Sequence, residues 1–306
     1  MKHLFWGLIF IFSSMLSNTQ KNPVYICTAA DEHYFPCLIN LIGSIHKNNF
    51  SEIKEIAVFD LGLSSHQITY LNNIQKLKVY PIEITHPDLL KRLNTRTWGK
   101  PIPGWYAWKP VIIKQAFDLF PDNPTVFWID AGTTILKSLT HLFEYVEEKG
   151  YFFHNGCDWV INKETTNFVK EAFNLHSPEN AWIKSSPGME AGFMGVTKKV
   201  YDQFILPMYL LSYDLRYFAD DGSCPQGFGY CRHDQALFSL FALSNTMTIF
   251  HHYAALKEMI YLEVKGEKVP FHIACVPEAR IDETNVYRAR FDVNPNDYLA
   301  YINWCE

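Results

Sequence analysis

The first 130 residues alternate between short apolar runs and longer amphipathic segments, and this alternation is what most limits how the chain can fold. "PVYICTAA" (Pro23–Ala30) is a continuous apolar run ending in small residues. "FPCLINLIGSIHKNN" follows, with Leu38, Ile39, Leu41, Ile42 and Ile45 at helical spacing. "EIAVFDLGLS" reads as a second strand reaching Asp60, and Ser64 with Gln67 forms a capping-box pattern ahead of the helix "SHQITYLNNI". "KLKVYPIEI" is a third strand. "AWKPVIIKQAFDLF" is a helix with Pro110 near its start, stopped at Pro121, and "TVFWID" is a fourth strand. Strands and helices in strict turn predict an α/β domain with a mixed, mainly parallel sheet flanked by helices. Such sheets bind ligands beyond the carboxyl ends of their strands, which is where Thr28, Ala29, Asp60 and Asp130 fall.

The second half is less regular. "GMEAGFMGVTKKVYDQFI" reads as strand, turn and helix, punctuated by Gly188, Gly192 and Gly195, and "CRHDQALFSLFAL" sets His233, Asp234 and Gln235 at the first turn of an apolar helix. No linker separates two cores, so residues 21–306 are expected to form a single domain. A net charge of -5 without any basic run argues against nucleic acid as a partner.

Residues 1–20 differ from the rest. Lys2 and His3 precede the apolar "LFWGLIFIF", and the chain then turns polar, the pattern of a signal peptide or a short membrane anchor. Export into a secretory or periplasmic compartment is the expectation. There some of the seven cysteines would pair, and Cys224 with Cys231 is the best local candidate because "PQGFGY" between them can turn. Asn49-Phe50-Ser51 is an N-glycosylation sequon.

Asp130, in "VFWIDAG", either caps its own turn or supplies one oxygen ligand to Mg2+ or Mn2+. The position that would chelate with it is Gly132. Lys109, among Trp105, Tyr106, Trp108 and Pro110, lies near a helix N-terminus, where a phosphate would be favoured; the alternative is a lysine snorkelling off an aromatic cluster. Tyr34, just past a strand end, has a ring that can stack on a base or simply pack. Gly192 permits close approach to a ligand or makes an ordinary turn. Asp234 at a helix start satisfies either catalysis or the helix dipole. If Lys109 and Asp234 act on substrate alone, their replacement by Ala leaves the melting temperature nearly unchanged.

Taken together, "VFDLGLSSHQ", "YAWKP", "WIDAG" and "CRHDQALFSL" resemble a group of glycosyltransferase-like sequences of the GT-A fold, and more distantly the glycogenin-type retaining transferases. The resemblance implies transfer of a hexose from a nucleotide-diphosphate sugar, a UDP-sugar first, to a glycan, protein or lipid acceptor. It implies that Thr28, Ala29 and Tyr34 hold the nucleotide, that Lys109 contacts the donor, and that Gly192 lies along the sugar. Asp234 and Gln235 would act at the reaction centre, and Asp130 with His272 would bind Mn2+ or Mg2+. Because Gly132 removes the second carboxylate, a metal-free enzyme using Lys109 and Arg232 as cations, or a non-catalytic nucleotide-sugar or glycan-binding protein, stays open beside it.

Overall fold

In the computed structural model of the chain, residues 21–93, 101–155, 159–252, 257–275, 280–288 and 294–305 are described; the leader or anchor expected over 1–20 lies outside them. The predicted alternation is present. Strand β1 (Val24–Ala30) leads to α1 (Phe35–Asn49), β2 (Ile53–Asp60), α2 (Ser65–Leu71) and β3 (Leu77–Tyr80). A short antiparallel pair, β4 (Arg92–Leu93) and β5 (Ile102–Pro103), precedes α3 (Trp108–Leu119) and β6 (Thr125–Ile129). Then come β7 (Thr134–Ile135), α4 (Thr140–Lys149), β8 (Tyr151–Phe152), β9 (His154–Asn155), α5 (Asn167–Ala172) and β10 (Phe193–Val196). The remainder is α6 (Leu206–Leu211), α7 (His233–Ser244), β11 (Phe250–His251), the hairpin β12 (Ile260–Val264) and β13 (Glu267–Phe271), β14 (Ile273–Ala274) and β15 (Val286–Tyr287).

Local chemistry explains the boundaries. Ser64 accepts from the Gln67 amide while the Gln67 side chain accepts from the Ser64 amide, so both ends of the capping box at α2 are closed. The third strand stops at Tyr80, short of the predicted run, because Pro81 has no N–H for a ladder. Gly150, at φ 96°, ends α4 in the left-handed region that favours glycine.

The main sheet has the order β3-β2-β1-β6-β10-β8. Its first four strands are parallel, and β10 then runs antiparallel to β6, with Phe193 opposite Ile129. Every residue of β1 and β6 is buried, as expected of strands covered on both faces. On one face α1 and α4 pack Leu38, Leu41 and Leu142 against Ile26, Ile56, Val58 and Phe127. On the other, α3 and α7 pack Val111, Ile112, Leu237 and Phe238 against Cys27, Phe59, Val126 and Trp128. None of the helices among the described residues is long and apolar enough to cross a membrane.

Two expectations are corrected. Cys224 and Cys231 are free thiols: Cys224 Sγ donates to the Gly227 carbonyl at 2.9 Å and Cys231 Sγ to that of Ala219 at 3.5 Å. The turn between them forms, but it delivers each sulfur to a carbonyl. Asn49, the sequon asparagine, is buried at the end of α1, where its amide donates to Glu52 at 2.7 Å, so it is not presented as a glycan acceptor.

Gly195 lies inside β10, where an added Cβ would sit 2.6 Å from the Phe127 ring and 2.8 Å from Val146. Gly195→Ala is therefore expected to destabilise the fold by about 1–3 kcal/mol through overpacking, read from the midpoint of urea unfolding.

Candidate functional site

The antiparallel turn of β10 against β6 builds the site. It sets the residues entering β10 beside those leaving β6, and the Asp130 amide donates to the Gly192 carbonyl at 2.8 Å. Glu190, Ala191 and Gly192 thus reach the same strand end as Asp130. The N-termini of α3 and α7 converge there too, bringing Lys109 and Asp234.

Lys109 is the hub. Its ammonium lies 3.2 Å from Asp130 Oδ1 and 3.1 Å from Asp234 Oδ2, and donates to the Ala191 carbonyl at 3.0 Å. Two ion pairs and one hydrogen bond thus fix the ammonium. Tyr106, Trp108 and Trp128 surround it with ring centroids 5.4–5.9 Å away, close enough for cation–π attraction. Burial works against the ammonium, yet Asp130 and Asp234 outweigh it, so Lys109 titrates above the ordinary lysine value. One ammonium serving two carboxylates leaves a deficit, and the more deeply buried Asp234 bears it. Burial raises its pKa to about 6 against the pull of Lys109, with Asp130 adding to the rise.

Both helix starts are reached through strained backbone. Trp105 and Tyr106 have φ of 49° and 65°, following Gly104 at 47°, and His233 has φ 40°. Left-handed conformation costs a non-glycine residue of order 1 kcal/mol, so packing has to hold it. A Cβ at position 104 would come within 2.0 Å of the Leu89 carbonyl oxygen, so that turn requires glycine. The Tyr106 and His233 rings lie 5.9 Å apart, and the His233 ring bonds the Phe218 carbonyl at 2.7 Å. The two strained segments brace each other.

A cavity of about 150 Å³ opens beside this cluster. Ala29, Ala30, Ala131 and Gly132 line it with the rings of Tyr34, Tyr106 and Trp108, and Asp31, Arg92 and Asp130 supply its charged lining. Small residues at the end of β1 leave the room, and Asp31 fixes the following turn by accepting from the Tyr34 amide at 3.0 Å and pairing with Arg92.

The predicted residues divide accordingly. Ala29, Tyr34 and Asp130 line the cavity. Thr28 is fully buried within β1 and is not among the residues lining the cavity. Lys109 is adjacent but enclosed, 4% exposed. Asp234 is buried behind Lys109, and Gln235 donates to Glu190 Oε2 at 3.2 Å. Space over Gly192 is already filled: a Cβ there would meet Arg288 Nη2 at 2.1 Å and Asp130 Oδ2 at 2.6 Å. Arg232 is tied to Glu164 by a 2.7 Å ion pair. Asp60 closes its own turn through the Gly62 and Leu63 amides.

Two residues escaped the sequence reading. Glu190 accepts from Gln235 and from Arg288 Nη1, the latter at 2.8 Å. The signal for Glu190 was its place in "MEAGFMG"; nothing local marked Arg288. It arrives through β7–β15–β14, where Thr134 pairs with Tyr287.

The metal expected at Asp130 and His272 meets a donor set that does not suit it. Asp130 Oδ1 accepts from Trp128 Nε1 at 2.9 Å and faces Lys109. His272 is fully buried, its Nδ1 bonded to Thr284 Oγ1 at 2.9 Å, and burial pushes its pKa down. Among the described residues no three His, Cys, Asp or Glu side chains are grouped to hold a metal ion.

No protein-family model matches the chain, and no curated protein matches it in sequence. Solved structures do. Core-mannan synthase A from Aspergillus fumigatus, in its Mn/GDP form, is 9% identical with a TM-score of 0.52 over 74% of this chain and 71% of that one. This chain has the GT-A fold. A galactosyltransferase, LgtC, in complex with donor and acceptor sugar analogues, is 13% identical with a TM-score of 0.48, covering 90% of this chain and 93% of that one. Mouse xyloside xylosyltransferase 1 is 10% identical with a TM-score of 0.48, covering 89% and 98%.

The burial of Lys109 reverses the expectation that its loss spares the fold. Lys109→Met is expected to cost about 3–5 kcal/mol in urea unfolding, because two carboxylates lose their counter-ion, and adding Asp234→Asn should recover part of that. Asp234 also makes stability depend on pH. Its folded pKa lies above the carboxylate's ordinary ~3.9, so its favourable contribution is complete below that value and lost as pH rises through about 6. The melting temperature of the wild type relative to Asp234→Asn should therefore fall across this interval in a pH series.

Proposed function

We propose that the protein is a glycosyltransferase that moves a hexose from a nucleotide-diphosphate sugar, a UDP-hexose first, to a glycan, protein or lipid acceptor. The observation that carries this reading is the meeting of an aromatic-walled cavity with a carboxylate-rich cluster at the reversed edge of a GT-A sheet. A nucleoside fits the cavity's apolar wall, with Tyr34 as the stacking ring, while the sugar end faces Asp130, Glu190 and Gln235. In the reaction the anomeric carbon loses its bond to the diphosphate oxygen and gains one to the acceptor oxygen, and the acceptor proton passes to a base.

Roles follow from exposure. Glu190, through Gln235 and Arg288, is the fixed carboxylate nearest the entry to β10 and is the group we assign to the sugar face. Gln235 orients Glu190. Asp234 and Lys109 act as positioning residues: they hold Asp130 and the Ala191–Gly192 backbone still, so that the site is set before substrate arrives. We further propose export, on the pattern of residues 1–20 alone, since the described cysteines show no pairing.

Gly132, where a second carboxylate would chelate, favours one other reading, a nucleotide-sugar-binding protein without turnover. Both readings share a test. Thermal melting of the full chain with UDP, GDP, CMP and their sugars should show a shift of several degrees with one nucleoside diphosphate, since a ligand of the folded state stabilises by mass action. Slow release of that diphosphate from its sugar, followed by chromatography, marks the enzyme; binding without release marks the binding protein. No shift with any nucleotide would overturn both.

A further inference from the structure

We infer that the acceptor is a glycan and that Tyr230, on the loop leading into α7, is a platform for its sugar ring; this rests on the transferase reading above. Residues 219–232 form neither helix nor strand, yet the segment is closely tied. Asp220, 4% exposed, bends it by accepting from the Gly222 amide at 3.2 Å and the Gly229 amide at 2.7 Å. Ser223 Oγ accepts from the Asn167 amide at the start of α5 at 2.8 Å, and the Gly227 amide donates to the Cys224 carbonyl at 2.8 Å. Gly227 and Gly229, at φ 89° and 98°, turn the chain on either side of Phe228. Burying a carboxylate is costly without such bonds, so the shape of this loop is fixed by its own chemistry. What that shape presents is aromatic: Phe228 is 36% exposed and Tyr230 55%. With more than half of Tyr230 in water, its ring adds little to the core, and a held loop that presents it suits binding.

Position ties the loop to the site. Tyr230 precedes Asp234 by four residues, about 14 Å of chain at most. Between them Arg232 donates its amide to the Glu164 carbonyl at 3.1 Å and its Nε to Glu164 Oε2 at 2.7 Å. Burial raises the Glu164 pKa against the pull of Arg232, and Glu190 adds to the rise, so this pair lies within electrostatic reach of the carboxylate assigned to the donor sugar. On the same first turn of α7, Gln235 donates to Glu190 at 3.2 Å. A sugar ring has an apolar C–H face and a rim of hydroxyls. The tyrosine ring suits the face, and the carboxylates of this neighbourhood, Asp221 on the loop and Glu164 paired to Arg232, suit the rim as hydroxyl acceptors. A lipid tail would need a continuous apolar surface, whereas these rings stand on a loop that also exposes Asp221 and Gln226.

The test is saturation-transfer NMR of the full chain, with UDP present, using octyl glucoside, octyl galactoside and octyl mannoside below their micelle-forming concentrations. Expected is saturation of the sugar-ring protons of at least one of the three. Tyr230→Ala is expected to weaken that glycoside roughly fivefold, the order of a lost ring contact, while Tyr230→Trp, which keeps a ring, retains it. The split between ring and octyl protons is read in the wild type, so misfolding of a variant does not blunt it. Saturation confined to the octyl protons marks a lipid-binding surface and overturns the inference. Ring saturation as strong in a folded Tyr230→Ala as in the wild type overturns it as well, as does the absence of saturation from all three glycosides. Titration of the same samples with UDP, GDP and CMP reads the donor site separately: nucleotide binding beside any of these failures leaves the transferase reading standing, and its absence is the failure of that reading.

Discussion

A single buried ammonium ties the working half of this molecule together. Lys109 is held by Asp130 from the end of β6, by Asp234 from the start of α7 and by the Ala191 carbonyl ahead of β10, so three segments distant in sequence share one charge. Burying charges is costly unless they are paired and fully hydrogen-bonded, and breaking such a set leaves an uncompensated ion in a low dielectric. The aromatic rings around Lys109 keep water away, which strengthens each contact and makes the loss of any of them more serious. The cluster is therefore a geometric lock as much as a set of functional groups.

The lock needs the topology to deliver its parts. Four parallel strands would put every strand end on one side and every return in a helix, with no backbone entering a strand at that edge. Reversing β10 changes this, because its first residues meet the last residues of β6. Glu190 and Gly192 reach Asp130 by that reversal alone. Backbone strain at Trp105, Tyr106 and His233 lies in the two segments that start α3 and α7, which is where the lock fixes its helices. Strain persists only where surrounding contacts over-determine it, and here the ion cluster and the Tyr106–His233 contact do so.

Legibility in the sequence followed the range of the interactions. The alternation of β1 to β6, the capping box at Ser64 and the start of α7 rest on neighbours a few residues apart, and the sequence pattern carries them. Asp130 and Ala29 are legible as strand-end residues, where such sheets bind ligands, and both line the cavity. Burial of Lys109 is not visible in the sequence, since a lysine near a helix start reads as a phosphate ligand first and a snorkelling side chain second, and only tertiary contacts decide. Thr28 reads as a strand-end residue in the same way, but it lies two residues before the end of β1 and is fully buried, which only the tertiary packing decides. Arg288 could not be found at all, because its partner Glu190 lies 98 residues away in sequence and the segment between carries weak periodicity.

The missing carboxylate at position 132 takes on a different meaning in this setting. Taken alone, Gly132 marks a damaged metal site. In the fold, it lines a cavity in which Asp130 already lies against an ammonium and a guanidinium. Restoring an Asp there would add a negative charge beside Asp130, Glu190 and Asp234 with two cations among them, raising the cost of the anionic forms. That cost is already visible in Asp234, whose pKa stands near 6. The glycine is therefore consistent with the charges around it: three carboxylates already share two cations, and a fourth would widen that deficit.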